Sequence, residues 1–250
     1  MTNNSIFSSA DINGVFFDLY GTLLVYGDMD LAWDDSRRFV YEAFTKRGMT
    51  CEKVDFKSRC DGFFDQSDPE VEKGWEQLTV YERQLRNLGR DLGLELTVLD
   101  LGQIADGSVA TWHQYTWLDP EAKGVLGYLK RKKKLALLSN FDHPRHVHAL
   151  LAELELVDFF ETIIVSGDTG TEKPDPAIFS MLLEQTKSEP HEAVYVGDAL
   201  KEDVQGARGA GLVPIWIDRD RPSQLDAQPE AKAGGACAIS SLTALQDLFT

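Results

Sequence analysis

The sequence predicts an α/β fold: a doubly wound, Rossmann-like parallel sheet with a helical module inserted after its first strand. Three observations carry this. Five short apolar runs, each closed by turn residues, have the length of buried strands. From the second run onward, segments of helical period separate them, which implies right-handed crossovers and parallel strands with helices on both faces. Between the first and second runs lie roughly ninety residues without a convincing strand, too many for an unstructured loop inside a compact domain.

In chain order, the strands are expected at Val15 to Phe17, Leu135 to Leu138, Thr162 to Val165, Ala193 to Val196 and Pro214 to Ile217. One helix face gathers Val147, Leu150, Leu151 and Leu154, and another gathers Phe179, Leu182 and Leu183 behind a Pro-Asp-Pro start. Inside the insertion, Leu78, Tyr81, Leu85, Leu88 and Leu92 are spaced three and four apart, which is a helix stripe. Asp119-Pro120 marks the return to the sheet, because a residue before proline is pushed out of helix. The expected division is a core of residues 1–25 and 119–250 with a helical cap of residues 26–118. Ala231 to Ala236 reads as a surface loop leading to a last short strand and helix.

Composition narrows the function. An apolar share of 43% with 26% charged residues is ordinary for a globular chain, and no stretch approaches the roughly 18 apolar residues of a membrane span. A net charge of −16 repels nucleic-acid phosphates and anionic membranes, so neither is expected as a partner. The basic run Lys130 to Lys134 closes an amphipathic stretch of Ala122, Val125, Leu126 and Leu129, where cations oppose a helix dipole; it reads as a solvated helix end. The first 13 residues lack the basic start and apolar centre of a secretory signal. Three cysteines, Cys51, Cys60 and Cys237, form neither a CxxC pair nor a disulfide framework. A cytoplasmic location is the expectation.

Ligands of a doubly wound sheet bind beyond the carboxyl ends of its strands. Those ends carry Asp18-Leu19-Tyr20-Gly21-Thr22, then Ser139-Asn140, then, near the third, Lys173-Pro174, and after the fourth Gly197-Asp198 with Asp203 five residues on. For phosphoryl transfer each type has a task. The Asp18 carboxylate can attack phosphorus and split hydrolysis into two steps. A hard cation such as Mg²⁺, held by Asp18 and Asp198, would cancel the repulsion between nucleophile and phosphoryl oxygens, with Asp203 completing or orienting its shell. The Ser139 and Thr22 hydroxyls and Asn140 can donate hydrogen bonds, and Lys173 balances charge. Such residues are also ordinary turn and capping residues, but four sets, each in order behind its own strand, form a pattern.

These residues resemble the haloacid dehalogenase superfamily of hydrolases. Its four motifs look like Phe16 to Leu23, Leu137 to Asn140, Lys173-Pro174-Asp175, and Val196-Gly197-Asp198 with Asp203. The resemblance implies a helical cap of the first type, a covalent intermediate on Asp18, Mg²⁺ held by Asp18, Asp198 and the Tyr20 carbonyl, and a small phosphorylated metabolite as substrate. Family phosphatases usually carry a second Asp where this chain has Tyr20, which is similar to the dehalogenase branch. Two alternatives therefore stand beside the phosphatase: metal-free hydrolysis of a carbon–halogen bond on Asp18, and a fold retained for binding with little turnover.

Two further patterns are set aside. Gly206 to Gly211 mimics a dinucleotide loop but follows a helical segment instead of a strand. His143, His146 and His148 have no carboxylate at ligand spacing and are expected at a solvated helix start.

Overall fold

The structure, a computed structural model, describes residues 8–60, 71–219 and 236–250. Its elements in chain order begin with β1 (Gly14–Phe17), β2 (Leu24–Tyr26), α1 (Met29–Thr45), α2 (Lys53–Cys60), α3 (Val80–Asp91), α4 (Val98–His113) and β3 (Thr116–Leu118). There follow α5 (Ala122–Lys130), β4 (Lys134–Ser139), α6 (Pro144–Glu153), β5 (Thr162–Val165), α7 (Ser166–Thr169) and α8 (Pro176–Thr186). Then come β6 (Ala193–Gly197), a π-helical turn Leu200–Gln205, α9 (Gly206–Gly209), β7 (Val213–Ile217), β8 (Cys237–Ile239) and a last helix Ala244–Leu248.

The chain divides into two compact units. The first comprises Met1–Val25, Leu118–Phe141 and Leu150–Thr250; the second comprises Tyr26–Trp117 and Asp142–Ala149. In the first unit six strands lie in the order β5-β4-β1-β6-β7-β8, all parallel. From β1 the chain winds outward through β4 and β5, then jumps back and winds the other way through β6, β7 and β8. The order therefore reverses between β1 and β6, the point at which doubly wound sheets open a crevice. Register places Phe16 level with Ala136 on one neighbour and Tyr195 on the other. All three side chains enter one cluster with Ile178, Phe179 and Leu182 of α8, each fully buried and worth about 1.5–3 kcal/mol where the side chain is large. Asp175 caps α8 by accepting from the Ala177 amide at 2.8 Å, and Pro176 occupies its first turn.

The basic run behaves as structural cement. α5 buries Ala122, Val125, Leu126 and Leu129. The ammonium groups behind it seek backbone carbonyls: Lys130 that of Asp158, Lys133 those of Ser9 and Ile12, and Lys134 those of Thr186 and Lys187. Lys130, Arg131 and Lys132 remain exposed, as a solvated helix end requires, and the carbonyl contacts add to that role.

The second unit is helical. α3 buries Tyr81, Leu85 and Leu88 of the expected stripe, and Thr79 and Glu82 close a reciprocal capping box at its start. A second box joins Thr97 and Asp100 ahead of α4, which packs on α1. β2 and β3 pair as a two-stranded ribbon at the ends of the insertion, a feature the sequence reading missed because three-residue strands carry too little periodicity.

One expectation is overturned here. His143 is 0% exposed instead of solvated, and it has a carboxylate partner: Nε2 lies 2.7 Å from Oδ1 of Asp106, while Nδ1 lies 3.1 Å from Oγ1 of Thr79. Both partners are more than thirty positions away in sequence, so local spacing could not reveal them. Of the expected loop Ala231 to Ala236, residues 231–235 lie outside the described residues. Among the described residues, no helix is long and apolar enough to cross a membrane.

Candidate active site

The first unit brings the expected strand-end residues together. Asp18 leaves β1 while its amide still bonds the Val196 carbonyl of β6 at 2.9 Å, so it stands at the reversal of strand order. The following loop is tight: the Leu23 and Leu24 amides both turn back to the Leu19 carbonyl, and all three side chains are buried. Gly21 adopts φ +84°, and a Cβ there would fall 2.1 Å from Oδ2 of Asp198. Only glycine gives both the left-handed backbone and the space that the Asp198 carboxylate fills. Arg219 then locks the loop, donating to the Gly21 and Thr22 carbonyls at 2.6 Å each and to Asp119 at 2.7 Å.

Lys173, 3% exposed, is the hub. Its ammonium donates to Oδ1 of Asp18 and Oδ1 of Asp203 at 2.7 Å each, and to the Tyr195 hydroxyl at 2.9 Å. Asp203 uses its other oxygen to accept the Ala199 amide at 2.9 Å. Both Asp203 oxygens are thus engaged by protein donors, an orienting arrangement. Asp198 is steadied through its carbonyl, which accepts the Trp216 indole N–H at 2.8 Å.

Asn140 has a structural task beyond the expected one. Its Nδ2 donates to the Lys173 carbonyl and its Oδ1 accepts the Lys173 amide, both at 2.9 Å, so the side chain braces the backbone that carries the hub lysine. The hydroxyls differ. Ser139 Oγ and Thr22 Oγ1 are buried with no hydrogen-bond partner, and a buried polar atom left unpaired in a native fold points to a group that completes it. Tyr20 is 7% exposed and stacks on Phe141 with centroids 5.0 Å apart.

Electrostatics give the cluster its character. Burial, reinforced by Asp203 and opposed by Lys173, pushes the Asp18 carboxyl up to about 6. Burial and the charges of Asp18 and Asp203 push Asp198 up to about 7. For Lys173, burial acts to lower the ammonium pKa, but Asp18 and Asp203 outweigh it and hold it well above its ordinary range. Burial, then the Asp18 charge, raises the Tyr20 phenol far above its usual value, so it stays neutral.

Asp18, Asp198 and Asp203 each offer a carboxylate oxygen within 4.8 Å of the others, the one such group among the described residues. Three carboxylates beside a single ammonium leave two negative charges uncompensated when all are ionised. Hard oxygen donors, that spacing and that charge fit a divalent cation such as Mg²⁺.

Sequence reasoning missed Tyr195, Trp216 and Arg219. The first two sit inside apolar runs and read as core; Arg219 lies two residues beyond the last run, where the strand-end rule applied to the others would have found it.

A family profile for haloacid dehalogenase-like hydrolases matches residues 12–211. A glyceraldehyde 3-phosphate phosphatase from Pyrococcus furiosus is 28% identical over 222 residues, covering 86% of this chain and 84% of the relative. A phosphoserine phosphatase from Thermus thermophilus is 39% identical over 119 residues, 47% of each chain, so that alignment spans about half of the relative. Among solved structures, a HAD phosphatase from Thermococcus onnurineus superposes with a TM-score of 0.68 at 22% identity, covering 95% of this chain and 97% of that one. A 2-haloacid dehalogenase from Pseudomonas syringae superposes with a TM-score of 0.66 at 24% identity over the same shares. Those likenesses speak to the fold, while the profile spans all four strand-end motifs: by that match the chain belongs to the haloacid dehalogenase-like hydrolases.

Proposed function

We propose that the protein is a Mg²⁺-dependent phosphatase of small phosphorylated metabolites, with Asp18 as its nucleophile. The observation that carries this is the cluster itself: a buried Asp18 bonded to Lys173, with the Asp198 and Asp203 carboxylates beside it. The relatives named as phosphatases support the same reaction class.

In this reading a carboxylate oxygen of Asp18 attacks phosphorus, the ester P–O bond breaks, and the departing oxygen leaves with the electron pair. Water then attacks the phosphorus and returns Asp18 as a carboxylate with inorganic phosphate. Asp18, Asp198 and the Tyr20 carbonyl would hold Mg²⁺, which when bound offsets the repulsion between carboxylate and phosphoryl oxygens. Asp203 orients Lys173 and the Ala199 turn. Ser139 and Thr22 supply the unpaired hydroxyls for phosphoryl oxygens. Tyr20, neutral and stacked on Phe141, closes the pocket and supplies no carboxylic acid, so the leaving oxygen takes its proton from water and esters of more acidic alcohols turn over faster. Residues 1–25 and 119–250, apart from Asp142–Ala149, which group with the helical unit, form the catalytic core, and residues 26–118 the cap that selects the substrate. Three cysteines with neither a CxxC pair nor a disulfide framework accord with a reducing, cytoplasmic setting.

A screen of phosphate monoesters and 2-haloacids, with and without Mg²⁺, tests the proposal against an Asp18→Asn blank. The expected result is Mg²⁺-dependent phosphate release that falls at least about a thousandfold in the blank. Halide release that survives excess EDTA, with no phosphate release, would assign the chain to carbon–halogen hydrolysis instead.

A further inference from the structure

Lys173 has three ammonium hydrogens, and three acceptors meet them: Oδ1 of Asp18, Oδ1 of Asp203 and the hydroxyl of Tyr195. Two of the three are carboxylates that follow from the family's motifs. The third is a phenol in the middle of β6, fully buried, in register with Phe16 of β1. It also reaches past β1 to donate to the Leu138 carbonyl of β4 at 2.8 Å, one residue before Ser139. That carbonyl alone would satisfy the phenol hydrogen, yet the oxygen lone pair is turned to the lysine as well. Phe179 meets the Tyr195 ring edge-on, centroids 5.2 Å apart at 79°, and holds its orientation.

With two carboxylates competing for one ammonium, the group is free to lean toward either, and each displacement changes how much charge remains on the attacking oxygen of Asp18. A third, neutral acceptor at a fixed position removes that freedom. We propose that Tyr195 is a positioning residue: its hydroxyl fixes the Lys173 ammonium between Asp18 and Asp203 and ties it to the strand end that carries Ser139. The consequence for turnover rests on the reading of Asp18 as nucleophile; the contact itself does not.

Tyr195→Phe removes one oxygen atom from a well-packed ring and leaves the apolar cluster filled. Two measurements test the proposal. The first is a double-mutant cycle in urea unfolding of the metal-free protein, using wild type, Tyr195→Phe, Lys173→Met and the double variant. The effect of Tyr195→Phe on the unfolding constant should be at least about fivefold larger with Lys173 present than with Met there. Effects that multiply independently, to within about twofold, would show that Tyr195 does not hold Lys173 and would overturn the proposal.

The second is steady-state kinetics with Mg²⁺ on the best phosphate ester of the screen. Loss of a hydrogen bond to a charged group predicts a kcat about 10- to 100-fold lower, with KM within about threefold of wild type. A Tyr195→Phe enzyme that unfolds more easily but keeps kcat within about twofold would show that the phenol does not position Lys173 for turnover and would also overturn the proposal. If wild type hydrolyses no ester, the phosphatase reading fails, while the unfolding cycle still decides whether Tyr195 holds Lys173.

Discussion

Gly21 shows how a single missing side chain shapes the cluster. Its φ of +84° costs an L-residue about 1–2 kcal/mol, and the position of a Cβ there is already filled by the Asp198 carboxylate, 2.1 Å away. Gly21→Ala should therefore push Asp198 away from Asp18 as well as lower stability. The expected outcome is a Mg²⁺ concentration for half-maximal activity that rises about tenfold or more, since a ligand moved off its oxygen shell loses affinity steeply. Titration of turnover with Mg²⁺ checks it, and an unchanged midpoint would mean that the Asp198 carboxylate is not a ligand. Gly197 makes the matching concession to Asp203, where a Cβ would meet the carboxylate carbon at 2.3 Å. At this scale, the backbone is cut away so that acids can approach one another.

Among elements, the segment Asp142–Ala149 stands out, because it follows the Ser139-Asn140 strand end directly and yet groups with the helical unit. Within that unit the Asp142 carbonyl accepts the Tyr81 amide at 3.2 Å, and His143 is gripped between Thr79 ahead of α3 and Asp106 on α4. Arg145 adds an ion pair to Glu82, the capping-box residue of α3. A fully buried imidazole with both nitrogens engaged is costly to remove, since a cavity and two broken hydrogen bonds result. His143→Ala should cost about 2–4 kcal/mol in urea unfolding. Hydrogen exchange should speed up first at the start of α3 and around Asp106, where the partners lie. A loss below about 0.5 kcal/mol would show that the histidine is incidental to the unit.

Across the whole molecule, a charge of −16 and a cluster with two uncompensated negative charges once all three acids are ionised predict coupling between cation binding and stability. Mg²⁺ at about a hundred times its Kd should stabilise the fold by about 2.7 kcal/mol, read as a higher Tm that EDTA reverses and Asp198→Asn abolishes. An equal rise in that variant would place the ion elsewhere. How far all this was legible in the sequence follows one division. Strand-end positions of Asp18, Ser139 and Asp198 were readable, and Lys173 in the loop beyond β5, because turn residues behind apolar runs are local signals and a doubly wound sheet sends such ends to one edge. So was the helix stripe of Tyr81, Leu85 and Leu88. Partner choice was not: Lys173 finds Asp18 across 155 positions, Asn140 turns to the Lys173 backbone, Tyr195 hides a polar task inside an apolar run, and His143 is buried by residues of distant helices. The sequence by itself determined which faces are buried and where the chain turns, since periodicity reports exactly one thing, the side of an element that avoids water. Only the tertiary structure decided which acceptor each buried donor meets, because hydrogen bonds depend on angstrom-scale distances between segments that no local pattern encodes.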